Sequence, residues 1–191
     1  MRNRQSAYLR HRRTEAVMQT SAEFSKRAWK AMNDLYCRSE VSQLCVSLQD
    51  SYGVDVPLLL LLLHAEQQRL SIDIDDFKAF LTDADAWRGD VVKPLRTIRQ
   101  AMKGRYVEQN EVRLRDAVKA LELQAEQVHV SRLAQSFMAY AKPMAASRMS
   151  AAYLQNCDVP TDECETALAV LKAAADQSHF QDHDGANNGY A

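Results

Sequence analysis

Val56-Pro57-Leu58-Leu59-Leu60-Leu61-Leu62-Leu63-His64-Ala65 is the stretch on which the fold turns. A membrane-spanning helix needs about 20 apolar residues. This run is roughly half that, and Glu66-Gln67-Gln68-Arg69 follows it directly. It therefore reads as a buried core helix over 56–70, central in a bundle. The residues ahead of it fit that reading. Gly53 can end a preceding helix in the left-handed conformation. Asp55 can cap the next helix, and Pro57 sits in its first turn, where a missing N–H matters least. Gln49 to Pro57 is thus a tight joint between two helices.

Outward from this joint the pattern stays helical. Phe24, Ala28, Trp29, Met32, Leu35 and Tyr36 recur at three- and four-residue steps and mark a helix over 22–37, with Ser21 as its cap. Val41, Leu44, Cys45 and Leu48 mark a second over 40–52, capped by Ser39. A short acidic segment over 73–83 carries Ile74, Phe77, Phe80 and Leu81. A further helix over 85–103 contains Pro94, which should kink or split it. The longest helix covers 108–141. In it Leu114, Val118, Leu121, Ala125 and Val128 step by four and three residues. The phase breaks at Arg132 and resumes at Leu133, Phe137 and Tyr140, so the seam is expected to pack inside a bundle. Residues 144–156 are Ala-rich and helical in character. Thr161 caps a last helix that reaches about Ser178, with Asp162 and Glu163 in its first turn. The expectation is an all-α protein, a single irregular bundle of about six to eight helices over 21–180.

The chain has 191 residues, 5 glycines, 4 prolines and a net charge of −1. That length allows one domain with tails, and the composition favours helix. The balanced total gives no global field for nucleic acid or membrane, but the ends differ. Residues 1–20 carry Arg2, Arg4, Arg10, Arg12 and Arg13 against Glu15. Residues 158–184 carry seven acids against Lys172. The first twenty residues read as a basic, disordered lead, with Met18 an alternative start, and 181–191 as a disordered polar tail. Cys37, Cys45, Cys157 and Cys164 form no C-x-x-C pair, and no signal peptide precedes them. Cys37 and Cys45 fall at apolar helix positions. Reduced thiols and a cytoplasmic setting follow.

Three blocks of residues carry a family resemblance. The first is Trp29, Tyr36, Val41, Cys45, Leu48-Gln49-Asp50, Gly53 and Asp55-Val56 with the leucine run. The second is Trp87-Arg88, Val91-Val92, Pro94-Leu95-Arg96 and Arg99. The third is Lys119-Ala120, Glu122 and Ala125-Glu126. Together they resemble a bacterial, mainly gammaproteobacterial, conserved-hypothetical family, a domain of unknown function. The resemblance covers roughly half of the chain, from Trp29 to Glu126. The family pattern has Asn at the position of Pro57 and Trp at that of His64, so a ligand site there in relatives would be altered here. The resemblance implies no chemistry.

The sharpest chemical feature is a run of bases. Arg88, Arg96, Arg99 and Lys103 lie close on a helical projection, with Val91, Leu95, Ile98 and Met102 on another face. Guanidiniums so placed can hold a phosphate or carboxylate by bidentate bonds. They can equally pair with acids such as Asp50, Glu122 and Glu126. The candidate ligand site is Arg88, Arg96 and Arg99 with Asp50 and Glu122. No catalytic residue, metal or cofactor is expected. Glu126-Gln127-Val128-His129 is a lone E-x-x-H, and a di-iron bundle needs two. Asp158 and Asp162 straddle Pro160 and share no helix face. Asp50 and Asp55 flank Gly53, where helix ending and capping account for them. His64 reads as a hydrogen-bonded core or rim residue. Three readings of function remain. One is a helical protein-interaction or accessory module with an unidentified protein partner and no membrane span. Another is an anion binder or enzyme built on the arginine cluster. The third, less favoured, is nucleic-acid binding through the basic lead and basic helix.

Overall fold

The leucine run does form a helix, and that helix is covered on every side. In the computed structural model, which describes residues 20–144 and 146–184, helix α3 spans Val56–Gln67. Val56 and every residue from Leu58 to Ala65 are buried. An α-helix apolar all round is stable in water only when neighbours enclose it. The Asp55 carboxylate accepts from the Leu58 N–H and Pro57 lies in the first turn, as the sequence requires.

Two compact units emerge from the packing: the described residues up to Ser25 together with Ile72–Ala141, and Lys26–Ser71 with the residues from Lys142 onward. The first helix, α1 (20–36), contains the boundary between them.

The second unit is organised around α3. Helix α2 (Ser39–Tyr52) buries Val41, Cys45 and Leu48. It ends at Gly53, whose φ of 66° lets its N–H turn back to the Gln49 carbonyl. Helix α7 (Met149–Asn156) and helix α8 (Thr161–Asp184) complete the unit. Two long-range contacts fix α7. The Tyr153 hydroxyl accepts the Asp55 N–H at 2.8 Å. The Glu66 carboxylate accepts both the N–H and the hydroxyl of Ser150, each at 2.8 Å, and so serves the start of α7 from a distant helix. Burial is the largest influence on the Tyr153 phenol and drives its titration far up. Burial likewise pushes the Cys45 thiol up to about 12, which keeps it a protonated small hydrophobe.

The first unit contains α4 (Ile74–Trp87), α5 (Lys93–Met102) and α6 (Gln109–Tyr140). Its core is aromatic. Phe24 stacks on Phe137 at 5.7 Å between centroids, and Phe80 meets Phe137 edge-on at 5.8 Å. Glu108 and Glu111 form a capping box at the start of α6. At 32 residues, α6 is about 48 Å long.

Several expectations change. Helix α3 stops at Gln67 rather than Leu70, because Arg69 takes a left-handed φ of 56°. Leu70–Ser71 then forms a short strand, β1, antiparallel to β2 (Lys142–Pro143). The acidic segment and the start of the next helix are one continuous element, α4. Pro94 acts upstream of itself: Arg88–Val92 is a π-helical turn, and α5 begins beyond it with Pro94 in its first turn. A wide turn absorbs the carbonyl that a proline cannot serve. Ser21, Ser39 and Thr161 are not caps but lie inside their helices. Cys37 is exposed beyond the end of α1. The Ala-rich helix begins at Met149, later than 144, and α8 continues to Asp184. The basic lead up to residue 19 and the polar end from 185 lie outside the described residues.

Candidate functional site

Helix α5 turns Arg96 and Arg99 toward α6, and none of its side chains, apolar or charged, is fully buried. Arg96 Nε donates to Glu122 Oε1 at 2.9 Å, and Arg96 Nη2 donates to Glu126 Oε1. Arg99 donates to the same Glu122 carboxylate, through Nε to Oε2 and through Nη2 to Oε1 at 3.2 Å. Glu122 is buried and both arginines are largely covered. The position of Glu122 and Glu126, one helical turn apart on α6, lets two guanidiniums bridge them from the neighbouring helix.

The electrostatics of this quartet balance, two cations against two anions. Burial is the strongest single influence on Glu122 and acts to raise its titration. The hydrogen bonds from Arg99 and Arg96, with their charges, together outweigh it and hold the carboxyl below its ordinary value. The charged form is therefore the stable one in the fold.

Of the five residues proposed from sequence, the structure brings Arg96, Arg99 and Glu122 together. Arg88 is buried in the π-helical turn, with Nη1 3.6 Å from Asp85 Oδ1. Asp50 is exposed on α2, in the unit that does not hold the arginines. The E-x-x-H residues are used separately: Glu126 pairs with Arg96, and His129 is buried in the core. No group of three potential ligands fit to hold a metal occurs among the described residues.

Two residues near the quartet were not singled out together from the sequence. The Trp87 indole N–H donates to the Ala125 carbonyl at 3.0 Å, and the Arg132 guanidinium lies 5.5 Å from the Trp87 ring centroid. The signal for them was the break in the α6 heptad at Arg132. The charge there has an aromatic surface to lie on.

A model for the family described as "Protein of unknown function (DUF2390)" matches residues 27–133. The chain belongs to the DUF2390 family. The match covers α2 to α5 whole, most of α1 and most of α6, including the Arg96–Arg99–Glu122–Glu126 quartet. No curated protein and no solved structure matches the chain. The family assigns no activity, so its members' chemistry has to be sought in geometry.

The geometry beside the quartet is an uncovered arm. Along the described stretch from Lys93 to Leu121, no side chain is buried. This covers all of α5, the connection to α6 and the first part of α6. Ile98 is 49% exposed, Leu114 59%, Leu121 52% and Val128 45%. The α6 seam divides: between Leu114 and Val128 only Ala125 is buried and Val118 half-covered, whereas Leu133 and Phe137 beyond the break are buried as expected. The reason is rotational. The side of α6 that meets α5 is the side carrying Glu122 and Glu126, and the leucine seam lies around the helix from it.

Proposed function

We propose that this DUF2390 protein is a cytoplasmic helical protein-interaction module that works without a cofactor and uses the α5–α6 arm as its contact surface. The observation that carries this reading is the uncovered arm. Its arginines are turned onto glutamates, while Ile98, Leu114 and Leu121 are about half exposed or more. Exposed large apolar side chains grouped on one pair of helices support a place where another surface docks. All four cysteines are thiols, which is the state a reducing compartment maintains. No helix among the described residues is long and apolar enough to cross a membrane.

The other readings have less support. An anion binder would need guanidinium charge left for the ligand, and Arg96 and Arg99 each already direct two donors to Glu122 and Glu126, whose charges balance theirs. Nucleic-acid binding through the basic helix meets the same difficulty, because those charges are neutralised by neighbours and would release few counterions.

In-cell photocrosslinking tests the proposal. A photoreactive phenylalanine analogue placed at Leu121 should give discrete protein adducts that are lost when the analogue is placed at Lys172, an exposed residue of the other unit. Adducts that are the same from both positions, or none from Leu121, would overturn it.

A further inference from the structure

We infer that the arm's partner is an acidic protein segment, one that sets apolar side chains against Leu114, Leu121 and Val128 and carboxylates against Arg113 and Arg132. This deepens the preceding reading and rests on it.

One side of α6 is exposed without a break. An arc of about 140° around the helix takes in Leu114, Leu121 and Val128 together with Arg113 and Arg132. Every residue on that arc from Gln109 to Gln135 is exposed. The apolar row runs for about 21 Å. Arg132 stands in line with it, about five turns beyond Leu114, and Arg113 borders its other end, so the two guanidiniums are separated by about 28 Å along the axis. Between them the arc carries only Ala, Gln and Ser beside the apolar row.

No carboxylate lies on this arc. The four acids of α6 are Glu111, Asp116, Glu122 and Glu126, and all stand outside it. Each is also engaged. Glu111 belongs to the capping box, Asp116 Oδ1 lies 3.4 Å from Arg115 Nη2, and Glu122 and Glu126 hold Arg96 and Arg99. Arg113 and Arg132, by contrast, form no ion pair among the described residues. The Trp87 ring under Arg132 positions its guanidinium without neutralising it. From Lys93 to Arg132 nine bases face five acids, a net +4 in a chain whose total is −1. Charge complementarity therefore calls for an acidic partner, and the apolar row calls for one that is not acidic throughout.

The same spacing disfavours other polyanions. A nucleic acid presents a phosphate at every step, and over about 28 Å this arc meets it with two cations and an apolar centre. An anionic bilayer takes a broad apolar face with bases along its polar side, whereas this row is bordered by Ala117, Ala120, Gln124 and Gln127. A second copy offering the same arc would set arginines against arginines or leave them unpaired. The complementarity also belongs to one side of the helix. Leu123 is exposed about 200° around from Leu121, but there Asp116 stands beside it and would repel a carboxylate. Tyr140 lies about 120° around from Val128, off the row.

The test varies charge in the full chain carrying the photoreactive analogue at Leu121. Arg113→Glu/Arg132→Glu should reduce the in-cell protein adducts at least tenfold, with the circular dichroism unchanged. Arg113→Lys/Arg132→Lys should retain them. Lys119→Glu, the same change of charge on an exposed position outside the arc, should leave them as they are. Arg113→Glu alone, which leaves the Trp87 contact intact, should reduce them about threefold. Mass spectrometry should place the crosslink on a segment with carboxylates on both sides of apolar residues. A synthetic peptide of that segment should bind the purified chain and lose at least tenfold in affinity against Arg113→Glu/Arg132→Glu. Adducts that resist this double substitution, that fall on a basic or uncharged segment, or that join Leu121 to the same arc of a second copy overturn the acidic partner and leave the protein-interaction reading standing. Adducts to nucleic acid or lipid in place of protein, or no adducts at all, overturn both.

Discussion

Helix α3 and the α5–α6 arm are both rich in apolar residues, and the fold treats them in opposite ways. From Leu58 to Ala65 every side chain of α3 is buried. From Lys93 to Leu121 none is. The difference lies in the polar partners. Helix α3 has no charged side chain until Glu66, so its only stable environment is apolar. Helix α5 carries Arg96 and Arg99, which find two glutamates on α6, and the charged face wins the inward position. A paired, mostly covered quartet of two guanidiniums and two carboxylates costs less than leaving Glu122 buried without its cations. The apolar face of α5 is the residue of that choice. A leucine in α3 is thus a stability residue, whereas Leu114 and Leu121 in the arm add little to the core.

Substitution can break or sharpen this contrast. The largest effect is expected for Leu62→Ala in α3, which removes a fully buried side chain. Urea unfolding should show a loss of about 2–5 kcal/mol. Next comes Glu122→Gln, which leaves Arg96 and Arg99 without their shared anion. The loss should be about 1–3 kcal/mol at neutral pH, reduced from a fully buried pair because solvent reaches Arg99. This effect has a pH signature. The folded Glu122 carboxyl titrates below its ordinary value. Its contribution is complete above the unfolded value of about 4.3 and drains away as pH falls through the folded value. The gap between wild type and Glu122→Gln should therefore close on acidification. A gap that persists at low pH would show that the charge of Glu122 is not what holds the arm.

Tyr153→Phe removes the acceptor of the buried Asp55 N–H and should cost about 1–2 kcal/mol by the same denaturation measurement. The smallest effect is expected for Leu114→Ala, under about 0.5 kcal/mol in dilute solution, because the side chain is mostly in water. Were Leu114→Ala to cost as much as Leu62→Ala, the arm would be a core element of the single chain and the contrast would fail.

The helices themselves were legible because their signals are local. Gly53, Asp55 and Pro57 act within one turn, and the three- and four-residue steps of α1 and α2 mark faces that the structure does bury, at Phe24, Ala28, Met32, Val41 and Cys45. The Arg96–Glu122 and Arg99–Glu122 pairs were among the combinations the sequence offered. Asp50 was offered on equal terms, and nothing local separates an acid 46 residues before Arg96 from one 26 after it. The caps were less secure. Ser21, Ser39 and Thr161 are good cap residues that the helices overrun by starting earlier, since capping is a small preference that packing overrides. The Leu114–Val128 part of the α6 seam was misplaced for a deeper reason, while Leu133 and Phe137 pack as expected. A heptad pattern shows that a stripe exists but does not say what covers it.

By itself the sequence determined that this chain is all-α, that Val56 to Ala65 is its most buried helix, and where Gly53 and Pro94 interrupt the path. Each follows from propensity, hydropathy or a fixed backbone angle within a few residues. Tertiary structure alone decided which face of α5 turns inward. Two arginines and two glutamates from separate helices had to meet before their charges could outweigh the apolar stripe beside them. That meeting is a property of helix rotation and crossing, set by the packing of the whole unit, and no local periodicity encodes it.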